Sequence, residues 1–337
     1  MASLKDISVA CGVSVATVSK ALNDHKDIGE ETKNNIRRVA RELGYSPNLS
    51  ARALKTNRTY SLGVLFMDEA GSGLQHDYFA SVLNSFKRAA EKHGYDITFV
   101  NDCKDRPGRM SYLEHCRYRG FDGIFLACVD FVSPEIIELM QGDIPLVTID
   151  YVFNGRTSVV SDNILGMHDL FSYVYSQGHR KIAYITGAAS GVTENRLASF
   201  YHTAEEFGLT IPEEYVREAA YRDTNTTYHI TKELLSLKDV PTCILFPDDY
   251  SALGGINAIR EMGLRIPEDI SIAGFDGIGV AKLLEPQLTT LEQDAEQIGF
   301  IAARELIGLI EHPKTTLKEM YVVPGRVIPG RSVARLN

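Results

Sequence analysis

Apolar residues in the first part of the chain recur every three or four positions, which is the spacing of helices with one buried face. Ser3, with Asp6 three residues later, forms a capping-box-like start, and Gly12 predicts the end of this first helix. Ser14 can cap a second helix that runs to Asn23. The pattern therefore predicts two short helices joined by a tight glycine turn.

A third helix is predicted to begin near Glu30, where acidic side chains suit the positive end of the helix dipole. Its spacing predicts a buried face formed by Ile36, Val39, Ala40 and Leu43. Residues 48–59 are polar and basic, and we interpret them as a linker with helical tendency.

From Tyr60 onward, short β-branched or apolar runs alternate with longer segments of helical spacing. Helices are predicted over residues 78–93, 163–177, 195–207, 226–237, 250–262 and 294–311. Such alternation predicts parallel sheets with helices on both faces, and the remaining length is enough for two of them. The expected fold class is a small all-α head followed by an α/β body of two lobes, each a parallel sheet flanked by helices.

Charge is divided unevenly along the chain. The net charge is −9, but residues 1–58 hold ten Lys/Arg against six Asp/Glu, which is +4, and the rest is therefore −13. A basic head on an acidic body is typical of a nucleic-acid-binding module, and phosphate would be repelled by the body. We expect only the head to contact DNA.

Several other function classes are disfavoured by motifs and composition. The five cysteines include no C-x-x-C pair, so neither a disulfide framework nor a metal site is expected, and no cofactor is predicted. No dinucleotide, Walker A or G-x-S-x-G motif occurs, which argues against an enzyme. No apolar run approaches the ~20 residues of a membrane span, and the N-terminus does not resemble a signal peptide. We expect a cytoplasmic protein with no membrane partner.

The two linked N-terminal helices predict a helix-turn-helix, whose second helix enters the major groove. Small side chains there let the backbone sit deep, and Val15 and Ala16 can contact thymine methyl groups. Lys20 can reach a guanine edge or a phosphate. Polar side chains suited to phosphate contacts are Ser14, Thr17 and Ser19. The alternative is a helical bundle that serves only packing.

In a two-lobed parallel α/β body, ligands bind at the carboxyl ends of the strands. Polar or aromatic candidates in such places are Asp68, Asp130, Asp150, Arg196, Asp249 and Phe275. Carboxylates and an arginine can bind vicinal hydroxyls, and an aromatic face can stack on a sugar. For Asp68, Asp130, Asp150 and also Asp276, a turn or capping role is the competing interpretation, and Asp276 is left out of the predicted set.

The segments LKDISVACGVSVATVSKALN and GYSPNLSARAL resemble the N-terminus of the lactose-repressor/galactose-repressor (LacI/GalR) family of bacterial transcriptional regulators. The resemblance continues in PDDYSALGGINAIREMGLRIPEDISIAGFDG and LTTLEQD. It implies a periplasmic-binding-protein-like body and major-groove contacts by Val15, Ala16 and Lys20. It also implies a hinge helix over Asn48–Thr56 that contacts DNA through Asn48, Ala51 and the minor-groove wedge Leu54.

For the body, the same resemblance implies effector binding by Arg196 and Asp249 and by the aromatic pair Tyr78 and Phe79. The domains are accordingly expected at 1–47 for DNA binding, 48–59 for the hinge and 60–337 for ligand binding and dimerisation. The N-lobe would span about 60–160 and 291–320, and the C-lobe about 161–290 and 321–337.

The function expected from these observations is a homodimeric repressor on palindromic double-stranded operator DNA, controlled by a small carbohydrate between the lobes. A purine-like corepressor is the alternative effector, and the sign of the effector's action stays open. A solute-binding protein and a doubly wound enzyme are less well supported, because the chain has a helix-turn-helix and no catalytic motif.

Overall fold

In the computed structural model, which describes residues 2–45, 58–67, 71, 73–101 and 110–336, the N-terminal residues fold into three helices. They are α1 (Leu4–Cys11), α2 (Val15–Leu22) and α3 (Glu30–Glu42). Both predicted caps are confirmed. Ser3 and Asp6 form a reciprocal capping box, and the Thr17 amide donates to the Ser14 hydroxyl at 3.0 Å. These helices belong to the first of two compact units, Met1–Thr59 and Tyr60–Asn337.

The three helices share one apolar core. Ile7, Val18, Ala21 and Ile36 are fully buried, and Val39 and Ala40 pack beside them. The prediction for Leu43 is wrong, because it is 42% exposed at the end of α3. Lys33 is buried at the other end of that helix, where its ammonium group binds Glu30 at 2.8 Å and Asp24 at 3.1 Å.

The second unit contains two six-stranded sheets, one in each lobe. The N-lobe sheet has the order β11-β5-β4-β3-β1-β2, and all its pairs are parallel. Its strands are β1 (Ser61–Phe66), β2 (Asp96–Phe99), β3 (Gly123–Ala127), β4 (Leu146–Ile149), β5 (Thr157–Ser161) and β11 (Met320–Val323). Helices packed on this sheet are α4 (Asp77–Lys92), α5 (Tyr112–Arg119), α6 (Pro134–Gln141) and α12 (Ala295–Glu311).

The C-lobe sheet has the order β12-β10-β9-β8-β6-β7. Its strands are β6 (Ile182–Thr186), β7 (Val216–Glu218), β8 (Cys243–Leu245), β9 (Ser271–Asp276), β10 (Thr289–Glu292) and β12 (Arg326–Ile328). The helices of this lobe are α7 (Asn163–Ser176), α8 (Gly191–Glu206), α9 (Thr224–Leu235), α10 (Ala252–Glu261) and α11 (Gly279–Leu283). The sheet is parallel as expected except at one edge, where β12 pairs antiparallel with β10. After β11 the chain returns from the N-lobe to the C-lobe within a few residues. Strand β12 can therefore join the C-lobe sheet only at its edge and in the antiparallel direction.

Two lobe boundaries differ from those expected. Strand β11 pairs with β5, so the N-lobe extends to Val323 rather than to about 320. Strand β10 pairs with β9, so the C-lobe extends to Glu292 rather than to about 290. The chain therefore crosses between the lobes after β5, after β10 and after β11. The six predicted helices of the body begin and end within four residues of their expected bounds.

In the described parts of the chain, no helix combines the length and the apolar character needed to cross a membrane. The same residues contain no group of three or more His, Cys, Asp or Glu side chains arranged to hold a metal ion.

Candidate functional site

Helix α2 presents the predicted DNA-contacting side chains on its open face. Val18 and Ala21 are fully buried in the head, whereas Val15 is 43% exposed. Ala16 and Lys20 are also exposed, as is the capping residue Ser14, while Thr17 and Ser19 are half-buried. One side of the helix thus packs in the core of the head, and the other exposes small side chains and one cation.

Lys20 has a partner that sequence reasoning missed. Its ammonium group lies 2.5 Å from the carboxylate of Asp27, and both side chains are about half exposed, at 48% and 53%. The hydrogen bond from Lys20 lowers the pKa of Asp27, so the carboxylate is ionised at neutral pH. Asp27 lies in the DHKDIG loop, after α2. Only the assumption that this loop folds back onto α2 could have indicated from the sequence that Asp27 pairs with Lys20.

Four predicted site residues cannot be placed. Asn48, Ala51 and Leu54 of the expected hinge, together with Asp68, lie outside the described residues. Their roles stay predictions.

Tyr78 and Asp150 meet at one edge of the N-lobe sheet. Tyr78 is in the first turn of α4, and its hydroxyl donates to the Asp150 carboxylate at 3.1 Å. Asp150 follows β4 with a φ of 54°, and its other oxygen accepts from the Ser161 amide at 2.9 Å. Burial raises the pKa of both side chains, and the Asp150 charge adds to the effect on Tyr78.

Arg196 is the cation of the C-lobe part of the site. It is 3% exposed on α8, and it donates to the Asn163 side chain at 2.7 Å and to the Pro247 carbonyl at 3.0 Å. Its guanidinium carbon lies 3.5 Å from the ring centroid of Phe275, which is 1% exposed. The structure thus brings together two residues that were predicted separately.

Asp276 belongs to the same site, although it was left out of the predicted set. Burial raises its pKa to about 7, opposed by Arg196 and reinforced by Asp248 and Asp150. The Gln293 amide donates to one Asp276 oxygen at 2.6 Å. Asp276 has a φ of 103°, a conformation that L-residues rarely adopt. The available signal was its position at the carboxyl end of β9. Tyr78, Asp150, Arg196 and Asp276, which influence one another electrostatically, are called the cleft cluster below.

Asp249 has a different place from the one implied by the family resemblance. It is fully buried, and its oxygens accept from the Thr290 hydroxyl at 2.6 Å and from the Ile278 amide at 2.9 Å. A Cβ atom added at Gly274 would lie 2.2 Å from the Asp249 Oδ1, so the backbone of β9 packs closely against the Asp249 side chain. Burial and nearby Asp276 hold the pKa of Asp249 well above its usual range. These contacts hold the C-lobe loops together, and the effector-binding role that the resemblance implies for Asp249 stays a prediction.

Two further predicted residues have roles within the N-lobe. Asp130 is exposed, and one of its oxygens accepts from the Val132 amide at 3.1 Å, which is a turn contact. Phe79 packs on Phe66 and His76, with ring centroids 5.4 and 4.9 Å apart. Phe79 also packs against Tyr78 of the cleft cluster, with ring centroids 4.9 Å apart, whereas Asp130 takes no part in the described interactions of the cluster.

Tyrosines of the C-lobe complete the surroundings of the cluster. The ring of Tyr221 covers Gly187, where a Cβ would lie 2.3 Å from it, and its hydroxyl is 2.8 Å from the hydroxyl of Thr193. The Arg196 guanidinium carbon is 6.0 Å from the Tyr221 centroid. The buried hydroxyl of Tyr184 and the Gln293 carbonyl have no hydrogen-bond partner among the described residues. Nothing in the local sequence marked Tyr184 or Gln293.

A groove of about 810 Å³ lies between the lobes beside the cluster, and neither Asp150 nor Arg196 is among the residues that line it. Tyr78, Asp276 and Gln293 line it, together with the start of α12 and the crossing segment Pro324–Arg326. The cleft cluster and the rings beside it combine carboxylates, one guanidinium and aromatic side chains, which suits recognition of a polar small molecule.

Comparisons with known proteins agree with both units. Residues 3–48 match the family described as bacterial regulatory proteins, lacI family, and residues 171–333 match the periplasmic binding protein-like domain. The HTH-type transcriptional repressor PurR of Pectobacterium carotovorum is 31% identical over 340 residues, covering 99% of this chain and 97% of the relative. PurR of Edwardsiella ictaluri is 32% identical over 341 residues, with the same coverage of 99% and 97%.

Solved structures share the fold. The lac repressor dimer bound to operator and the anti-inducer ONPF aligns with a TM-score of 0.83 at 22% identity, covering 99% of each chain. The CelR–cellobiose complex aligns with a TM-score of 0.69 at 23% identity, covering 98% of this chain and 100% of that one. A LacI-family regulator of Enterococcus faecium with bound ribose has a TM-score of 0.70 at 24% identity over 82% and 100%.

The relatives that match over almost their full length are regulators rather than enzymes. The chain belongs to the lacI family of bacterial regulatory proteins and is a DNA-binding transcriptional repressor.

Proposed function

We propose that this repressor binds a palindromic operator as a cytoplasmic homodimer, and that a small molecule held between its lobes sets the operator affinity. The proposal rests on one observation, which is that the residues of the cleft cluster come from both lobes. Tyr78 and Asp150 come from the N-lobe, whereas Arg196 and Asp276 come from the C-lobe. A ligand that contacts both pairs binds best at one spacing of the lobes and shifts the population toward it.

For the effector, we propose a purine-like corepressor ahead of a carbohydrate. The relatives that cover the whole chain are named PurR. The ring of Tyr221, which is half-buried near the Arg196 guanidinium, also suits contact with a flat heterocycle that has a polar edge. A carbohydrate is the second candidate, because the carboxylates of Asp150 and Asp276 could accept from vicinal hydroxyls.

The charge of the site further favours an uncharged effector. Asp150 and Asp276 both resist ionisation, since burial raises their pKa values and only one buried guanidinium compensates. A phosphate group would add negative charge to this environment, whereas an N–H or O–H donor would stabilise the ionised carboxylate. A free nucleobase should therefore bind better than its nucleotide.

The proposal is tested by thermal unfolding and operator binding with matched ligands. The panel contains purine nucleobases, their 5′-monophosphates, ribose and cellobiose. A corepressor at 100 times its dissociation constant should stabilise the body by ~2.7 kcal/mol and tighten operator binding about 5- to 150-fold. Binding by the sugars alone would favour the second candidate. If no panel member changed either measurement, the proposed effector classes would be rejected.

A further inference from the structure

Arg222 reaches from the C-lobe to the N-lobe. It lies in the loop between β7 and α9, and its guanidinium donates to the Asp77 carboxylate at 3.2 Å and to the Gln75 carbonyl at 3.4 Å. Asp77 is the first residue of α4. Among the ion pairs of the described residues, this one alone joins the two lobes.

The C-lobe holds this arginine in place before it reaches across. Its backbone has a φ of 60°, which a side-chain-bearing residue adopts only when its surroundings enforce it. The enforcing contact is the Arg222 amide, which donates to Asp248 at 2.8 Å. Asp248 is itself held by the Ser251 hydroxyl at 2.7 Å. The guanidinium carbon also lies 4.2 Å from the Tyr250 centroid. The C-lobe therefore holds the Arg222 side chain in an orientation that reaches the N-lobe.

Burial makes the pair stronger than an ordinary surface contact. The Arg222 side chain is only 9% exposed, although Asp77 is 50% exposed. A cation so far removed from water has few alternative partners, so loss of Asp77 would leave its charge poorly compensated. Negative charge at the first turn of α4 is also favoured by the helix dipole.

The same loop touches the ligand site. Tyr221, directly before Arg222, covers Gly187 and lies beside Arg196. Asp248, which binds the Arg222 amide, also acts electrostatically on Asp276. A ligand that moves Tyr221 or Asp276 would therefore act on the interlobe contact through adjacent atoms.

We propose that Arg222 is an interlobe latch, a positioning residue that holds the two halves of the cleft cluster at ligand-binding distance through its ion pair with Asp77. Its effect on repression rests on the proposed ligand response, but its effect on lobe spacing does not. Losing the latch lowers the fraction of molecules with an assembled site, and the apparent effector affinity falls by that fraction.

The test measures lobe spacing in the full-length protein without effector. Spin labels carried by non-natural residues at Tyr118 of the N-lobe and Tyr201 of the C-lobe, which are 75% and 43% exposed, report the distance distribution. Arg222→Gln removes the charge but keeps a polar side chain, and it should broaden the distribution toward longer distances. Arg222→Lys keeps the charge and should stay close to wild type.

A double-mutant cycle separates the latch from local damage. Asp77→Asn alone should broaden the distribution as Arg222→Gln does, and the double variant should add little more. Lys232→Gln is the matched control, because it breaks the Lys232–Glu261 pair within the C-lobe and should leave the spacing unchanged. Where an effector has been identified, Arg222→Gln should weaken its binding three- to tenfold, with Arg222→Lys near wild type.

Unchanged distances in both Arg222→Gln and Asp77→Asn would overturn the latch. Additive broadening in the double variant would also overturn it, because the two residues would then act independently. Failure of every panel ligand would reject the proposed effector classes while leaving the distance measurement decisive for the latch.

Discussion

The head and the cleft cluster differ in how their functional side chains are arranged. In the head, Val15, Ala16 and Lys20 lie within one helix, exposed and separate from the core on its other side. In the cleft, Tyr78, Asp150, Arg196 and Asp276 span almost 200 residues of sequence and are held by buried hydrogen bonds.

This difference teaches which substitutions act locally. A side chain on the open face of α2 can be changed without altering the apolar core of the head, because it is not packed in that core. A side chain of the cluster supports its neighbours and the fold together. Substitutions in the head should therefore change DNA binding alone, whereas substitutions in the cleft should change ligand binding and stability together.

The largest effect is expected from Arg196→Ala. It removes a buried cation and leaves the Asn163 and Pro247 acceptors unpaired and the carboxylates uncompensated, so the body should lose about 3–5 kcal/mol of unfolding free energy. The ligand-induced shift in melting temperature should vanish. Arg265→Ala is the control, because its pair with Asp269 is exposed, and it should cost less than ~1 kcal/mol. If calorimetry showed that Arg196→Ala and Arg265→Ala lose the same unfolding free energy, the proposed difference between the cleft cluster and an exposed ion pair would be wrong.

Lys20→Ala should come next. Loss of a base-edge or phosphate contact should weaken operator binding by about 1–3 kcal/mol, while the unfolding free energy of the head changes by less than ~0.5 kcal/mol. Lys26→Ala, in the exposed loop after α2, should weaken operator and random DNA alike. If Lys20→Ala also weakened both DNAs equally in anisotropy titrations, Lys20 would be a phosphate contact only.

Ligand binding should depend on pH through Asp276. Its folded-state pKa of about 7 lies above the ordinary value of 3.8, so this group favours folding at low pH, and that contribution is lost as pH rises from about 3.8 to about 7. A donor ligand prefers the ionised form, so affinity should rise by up to about tenfold between pH 6 and 8. Asp276→Asn should flatten the profile in calorimetric titrations. A profile that Asp276→Asn leaves intact would assign the titration to another group.

The smallest effect is expected from Asp27→Asn. Freeing Lys20 and removing one negative charge should strengthen binding to all DNA by about 0.2–1 kcal/mol, and discrimination between operator and random DNA should fall. Glu42→Gln, which breaks the exposed pair with Arg38, is the comparison for loss of charge alone. If the two variants had the same operator preference, Asp27 would have no part in orienting Lys20.

Much of the architecture could be predicted because it depends on local patterns. The capping residues Ser3 and Ser14 act on amides only three residues away, and the helices of the body follow from apolar spacing. Leu43 was predicted to be buried from the same spacing, but the last residue of a helix has no further turn to cover it. The direction of β12 was missed because apolar alternation does not distinguish parallel from antiparallel pairing.

The cleft was predicted less completely. Arg196 and Phe275 were identified, and the structure shows them in contact. Asp249 and Asp276 could not be ranked from sequence, because each is a carboxylate at or shortly after the carboxyl end of a strand. Their contacts separate them: both oxygens of Asp249 are bound by C-lobe groups, whereas Asp276 faces the groove.

The sequence by itself determined the helix-turn-helix, the small side chains on α2 and the alternation of strands and helices, since these depend on caps and periodicity within a few residues. Only the tertiary structure decided which carboxylate faces the ligand site and that Arg222 meets Asp77, 145 residues away. The physical reason is burial. Distant segments meet only after packing, and packing decides which polar groups lose water and which partners replace it.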